Sequence, residues 1–289
     1  MGITHTKVTV IADDPNYDVG ADEWNDDHVV TASDIPIVDS GGLITATNAE
    51  TAFAEIATDV ALARLFLSYR QAVIATAPVG YWRLGEATGT TAKDEMSLHA
   101  GTYNNTPTLS VAGALAGDTN TAITLARASF EDVQFTTTSP VADGITGTDA
   151  TFSIWFKTTY KTGAIRMWGD QAGASSSRFY IGTDTSGFLL WNKAGGTVFT
   201  GAVDYADDAW HHAVVSVAAG TNATQIYVDG ANVGQGTSGT TWNAASTTMR
   251  IGSYSGANYW EGSLDEPALW NRALSAAEIA GLYRIGTGT

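Results

Sequence analysis

From Val79 onward apolar and polar residues alternate in short runs. Phe152, Ile154 and Phe156 interleave with Ser153, Trp155 and Lys157, the two-residue period of a strand with one apolar face. Comparable runs lie at Tyr81–Leu84, Ala122–Leu125, Val133–Thr136, Ile165–Gly169, Arg178–Thr183, Phe188–Asn192, Trp210–Ala218, Gln225–Val228, Met249–Ser253 and Trp260–Trp270. Gly, Asn, Asp and Thr punctuate them, so the pattern predicts an antiparallel jelly-roll β-sandwich over 79–289. Asp229-Gly230 between two short strands is a tight hairpin signal. Ser275-Ala276-Ala277-Glu278 reads as a capping box that opens a short helix, Ala276–Tyr283.

Residues 48–76 follow a different period, that of one long helix within a segment spanning 48–78. Asn48 suits the N-cap, and Glu50 and Glu55 complement the positive end of the helix dipole. Phe53, Ile56, Val60, Ala63, Leu67, Arg70 and Ile74 have the 3-4 spacing of a coiled-coil seam. Leu62, Phe66, Tyr69 and Val73 form a second stripe, and two stripes favour a trimer or higher bundle. The alternative is that the helix packs on its own sandwich, since Arg70 interrupts the seam. Pro78 stops it. Residues 1–47 are acidic and rich in turn formers, with short strands expected at Lys7–Ile11 and Val29–Thr31. They bury little alone and read as an attachment segment ordered against a partner.

Composition narrows the function. The 289 residues hold 30 acidic against 14 basic side chains, a net charge of −16. Such a chain has little with which to neutralise phosphates, which argues against nucleic acid and against an anionic membrane surface. Neutral glycans, basic partners or a divalent cation stay open. Cysteine is absent, so neither disulfides nor thiolate chemistry contribute. No apolar run is long enough to insert in a membrane, and the N-terminus lacks the pattern of a secretory signal.

Four stretches in order carry a resemblance: Tyr81-Trp82-Arg83-Leu84-Gly85-Glu86; Ala150–Lys157; Trp210-His211-His212 leading to Ile226-Tyr227-Val228-Asp229-Gly230; and Gly262-Ser263-Leu264-Asp265-Glu266 with Trp270-Asn271-Arg272-Ala273-Leu274-Ser275. Together they resemble the laminin-G-like/concanavalin A-like lectin family, in its pentraxin-related branch. The front of the chain is similar to bacteriophage tail or fibre proteins, at His5-Thr6-Lys7-Val8, Glu23-Trp24-Asn25-Asp26-Asp27-His28 and Asn48-Ala49-Glu50-Thr51-Ala52-Phe53.

The lectin resemblance implies a structural calcium held by Asp265, with Glu86 and Asp94 as further ligands. The loop 92–101 departs from the family's usual form, and Asp265 serving backbone donors is the alternative. His211 and His212 are neighbours on a strand and face opposite sides, which suits one edge hydrogen bond better than a shared metal. Trp155 and Trp210 belong to packing. Trp168, Trp191 and Trp242 lie near turns, as do Tyr254, Tyr259 and Trp260. In the loop 254–260, Tyr254, Asn258, Tyr259 and Trp260 combine aromatic faces with polar groups, the chemistry that holds a sugar ring. Glu261, Asp265 and Glu266 do not reproduce the carboxylate spacing of the laminarinase-type relatives, so no enzyme is expected.

The combined expectation is a bacteriophage virion protein. Residues 1–47 would grip other virion proteins, the helix would assemble a homo-oligomer, and the sandwich would bind a host or environmental glycan. A structural or decoration protein without a specific ligand is the alternative, with a glycan hydrolase behind it.

Overall fold

The computed structural model describes residues 68–135, 145, 149–170, 178–193, 196–218, 223–237 and 249–289. The chain divides into two compact units, 1–66 and 67–289, and every described residue belongs to the second. The strands expected at Lys7–Ile11 and Val29–Thr31 lie outside the described residues, as do the seam positions Phe53, Ile56, Val60 and Leu67, and Trp242.

The described unit is a sandwich of two antiparallel sheets. Its strands are β1 (Gly80–Tyr81), β2 (Thr91–Ala92), β3 (Gly101–Asn104), β4 (Thr108–Ala112), β5 (Thr121–Leu125), β6 (Asp132–Gln134), β7 (Ala150–Lys157), β8 (Ile165–Asp170), β9 (Phe179–Thr183), β10 (Phe188–Lys193), β11 (Gly196–Asp204), β12 (His211–Ala218), β13 (Ala223–Val228), β14 (Ala231–Thr237), β15 (Met249–Ile251) and β16 (Gly262–Trp270). Sheet 1 runs β14-β13-β12-β7-β16-β5-β4, with β1 also paired to β16, and sheet 2 runs β11-β10-β9-β8-β15-β6-β3-β2. The expected sandwich is therefore present.

Register explains the core. Across sheet 2, Tyr103, Val133, Ile251, Trp168, Ile181, Trp191 and Phe199 stand side by side in one apolar row. They meet Phe152, Ile154, Phe156, Val215, Ile226 and Leu264 of sheet 1 in the main core. Phe152 is its hub, with ring centroids 4.5 Å from Phe179, 5.4 Å from Trp168 and 5.8 Å from Trp191. Trp168 and Trp191 thus belong to the interior and not to turns.

Sheet 1 is covered on its outer face as well. There Trp155, Val214, Tyr227 and Trp270 pack under two helices, α1 (Tyr69–Ala75) and α2 (Ala276–Thr287), through Tyr69, Ala72, Val73, Ile279 and Leu282. This is why Ser153 and Trp155 are buried although they occupy the polar phase of the β7 alternation. Trp155 donates to the Tyr69 hydroxyl at 3.0 Å, and Trp270 to Thr76 Oγ1 at 2.9 Å.

The long helix expected over 48–76 needs correction. Ser68 has an extended backbone and caps α1 through a box with Gln71, so the seven-residue helix starts afresh there. Tyr69 and Val73 face the protein's own sandwich, and Ile74 packs half-buried on the same cluster. Arg70 turns outward and pairs with Glu95 at 2.5 Å. The Asp229-Gly230 hairpin and the Ser275–Glu278 capping box form as expected. Both turn residues have positive φ, and α2 runs four residues past Tyr283 to Thr287.

Candidate functional site

The two described helices sit on sheet 1, which leaves the outer face of sheet 2 as the broad face of the sandwich without a described helix over it. Side chains alternate along a strand, so the residues next to the apolar row point outward. Thr102, Gln134, Arg250, Gly169, Tyr180 and Asn192 form that outer row across six neighbouring strands. At about 4.8 Å per strand spacing the row is about 24 Å long.

The centre of the row is aromatic. The Arg166 guanidinium lies 4.0 Å from the centroid of the Tyr180 ring, and Tyr254 meets that ring edge-on at 5.2 Å. Gly169 makes this possible. A Cβ there would stand 2.9 Å from the Tyr254 ring and 3.0 Å from the Ser253 carbonyl, closer than ordinary contact. Tyr254 therefore rests on bare backbone of β8. The loop that carries it is pinned at several points. Tyr254 and Ala257 exchange backbone hydrogen bonds, Arg166 N donates to Asn258 O at 2.9 Å, and Ser253 Oγ donates to Asp132 at 2.7 Å. Asp132 also accepts from Arg250 at 2.6 Å and from Asn104 at 2.7 Å. Burial raises the phenol pKa of both Tyr254 and Tyr259, so both hydroxyls stay protonated and can donate.

Beyond Arg250 the face continues to a second aromatic pair. Tyr259 meets Phe130 edge-on at 5.4 Å, and Phe130 is 60% exposed. Phe130 also has φ 58, a left-handed conformation that a bulky side chain adopts at a cost of about 1–3 kcal/mol. Asn105 Nδ2 holds its carbonyl at 2.8 Å. Close by, Arg127 lies 5.4 Å from the Tyr160 ring centroid.

Of the sugar-binding set read from the sequence, Tyr254, Asn258 and Tyr259 lie on or beside this surface. Trp260 does not. It is fully buried in the main core, 5.8 Å from Phe156, and anchors the loop from beneath. Tyr180, Arg166, Gly169, Arg250 and Phe130 escape sequence reading because they come from separate strands and turns. The alternation over 178–183 does place Tyr180 out of phase with Phe179 and Ile181.

The proposed calcium set does not fit an ion. Asp94 accepts from the backbone N–H groups of Tyr81, Met96, Leu98 and His99, and Glu86 accepts from Lys93 N and the Tyr103 hydroxyl. Asp265 accepts from Ala114 N at 2.8 Å, the alternative role left open for it. Among the described residues no three His, Cys, Asp or Glu side chains come together to hold a metal. Calcium asks for about 6–8 oxygens, several of them carboxylate. Asp265 and Glu266 are both buried, and burial holds both carboxyls well above the usual range. Tyr81 and Arg83 bond to Glu266 from within. Neither acid faces a surface where a glycosidic bond could lie.

His211 and His212 diverge as the alternation requires. His211 sits between Asp229 at 2.7 Å and Asp207 at 3.1 Å, and His212 is sealed beside Ser153 at 2.7 Å, stacked on Trp155.

No curated protein matches the sequence. Among solved structures, Trypanosoma rangeli sialidase in complex with the inhibitor DANA superposes with a TM-score of 0.52 at 15% identity, over 72% of this chain and 33% of that one. The receptor binding domain of botulinum neurotoxin C/D mosaic serotype gives 0.54 at 10% identity, over 72% and 51%. The chain thus spans a third of the sialidase and half of the toxin domain. At such identities the likeness is one of fold. A family model, in contrast, matches the sequence itself over residues 127–280, more than half of the chain. By that match the chain belongs to the concanavalin A-like lectin/glucanases superfamily.

Proposed function

We propose that the sandwich binds a glycan across the outer face of sheet 2, and that the chain serves as an adhesion protein of a bacteriophage particle. The observation that carries the first part is the outer row itself. Tyr180 and Tyr254 offer aromatic surface beside Arg250, Gln134 and Asn104, with exposed Phe130 and Tyr259 at one end. Sugar rings stack apolar faces on such side chains while their hydroxyls bond to the polar ones. Tyr180, Tyr254 and Arg250 keep part of their surface exposed while Gly169 and Asn192 beside them are buried, so a sugar would lie on the rings themselves. The second part draws on the likeness of residues 1–47 to phage tail or fibre proteins. Several copies on one particle would turn weak single sites into firm attachment.

The test is binding of the full-length protein to an array of glycans and bacterial polysaccharides, beside Tyr180→Ala and Phe130→Ala. Saturable binding is expected, weakened about tenfold by each substitution, as loss of roughly 1.4 kcal/mol of ring contact implies. A folded protein that binds no glycan overturns this reading, and a decoration role takes its place.

A further inference from the structure

A sandwich ends in strand edges, and each edge presents backbone groups that its own sheet leaves unpaired. Among the described strands, β14 closes sheet 1 and β11 closes sheet 2, each paired to a single neighbour. The two lie against one another. The Phe199 ring of β11 sits so close to the Gly234 backbone of β14 that a Cβ there would stand 2.1 Å from it. Together they form one lateral face. The opposite side of the sandwich is blunted: β2 has two residues, and β4 has five, with Ser110 at φ 57 and an irregular register against β5.

The β11–β14 side carries little of that protection. Open edges are ordinarily guarded by lysine, proline or short length, because an unguarded one invites a further strand. β14 runs seven residues with neither a charge nor a proline, and from Gly234 to Thr237 it pairs with β13 in regular register. β11 runs nine residues, and its single charge, Asp204, is neutralised by Lys161. Val203 of β11 and Val233 of β14 are 55% and 37% exposed. In a chain of net charge −16, the whole stretch Ala209–Met249 holds one acidic or basic side chain, Asp229, and His211 bonds to it. Two copies of an acidic protein repel wherever acid faces acid, so they meet most readily along a side without charge. A basic partner would be drawn to the acidic surface instead.

We propose that two copies of this chain join along this side, β14 pairing antiparallel with its own equivalent while β11 adds contact beside it. A nine-residue strand is about 30 Å long, and two stacked sheets with their side chains are about 20 Å across. The contact then covers about 600 Å² on each copy, about 1,200 Å² in total, at the lower limit of specific interfaces. A reversible dimer fits that size. Antiparallel pairing continues sheet 1 across a two-fold axis perpendicular to it, so the Tyr180 faces of both copies point the same way. The dimer stands whether or not those faces take a glycan.

The experiment follows the mass of the full chain by sedimentation equilibrium at about 1–100 μM, the range of weak interfaces. Hydrogen exchange of β14 is measured at both ends of that range. The mass should double with concentration while the amides of Gly234–Thr237 exchange several-fold more slowly. Val233→Glu should weaken association at least about tenfold with the melting temperature unchanged, because it sets like charges across the axis. Thr108→Glu, which adds the same charge on the exposed opposite edge, should leave association as it was. A monomer throughout overturns the proposal. So does an oligomer whose β14 amides exchange equally fast at every concentration, since it joins elsewhere. Equal weakening by Val233→Glu and Thr108→Glu also overturns it, by reducing the effect to overall charge.

Discussion

Adjacent histidines on β12 illustrate how one position along a strand decides a side chain's chemistry. His212 faces under the helices, where burial pushes its pKa down to about 3 and keeps it neutral. The unfolded chain then binds more protons below pH 6.5, so His212 supports the fold above that pH and loses its contribution as pH falls toward 3. The loss is on the order of 4–5 kcal/mol if the full shift is expressed. His211 has the opposite sign. Despite burial, its bonds to Asp229 and Asp207 raise its pKa, so its support is complete below pH 6.5 and fades as pH rises through the raised value. Urea unfolding across pH 4–9 should show His212→Phe with a flattened acid limb and His211→Gln with a flattened neutral limb. Identical pH profiles for both variants and the parent would contradict these roles. The sequence placed the two rings on opposite sides but not the carboxylates of Asp207 and Asp229, which reach His211 from a loop and a hairpin.

Elements were legible where their signals were local. The alternation of Ala150–Lys157, the Asp229-Gly230 turn and the Ser275–Glu278 box all lie within a few residues, and each forms. The broken helix was legible too, because Ser68-Tyr69-Arg70-Gln71 is itself a capping box, overshadowed by the longer heptad pattern around it. Strands β2, β3 and β4 were not read. They are short, and β4 is an edge strand whose side chains alternate between exposed and part-buried. The site was half legible, since Tyr254 and Tyr259 lie in one loop while Gly169 matters only through register. Gly169→Val should lift Tyr254 off β8 and weaken glycan binding several-fold, at a stability cost of about 1–3 kcal/mol. Unchanged binding by a folded Gly169→Val variant would detach Tyr254 from the site. Because Asp94, Glu86 and Asp265 serve protein donors, a chelator should leave the melting temperature unchanged. A fall of several degrees that calcium restores would return Asp265 to a metal.

For the whole molecule, composition correctly conveyed an acidic chain but concealed where its charge is missing. Asp229 is the one acidic or basic residue of Ala209–Met249, and only the fold sets β14 beside β11 to make one side of the sandwich nearly free of charge. The rest of the surface carries the excess of acid, and its self-repulsion weakens the compact state at low ionic strength. Raising salt from about 10 to 150 mM should therefore raise the melting temperature, measured by scanning calorimetry. A decrease would mean that ion pairs such as Arg83–Glu266 outweigh the repulsion. The coverage of sheet 1 by α1 and α2 has a practical corollary. Helix α2, which carries the C-terminal residues of the chain, is seated on sheet 1, the side away from Tyr180. A biotin, fluorophore or sensor-chip linker placed after Thr289 would leave the aromatic face open to the solution, so immobilised protein can be read for ligand capture without reorienting it.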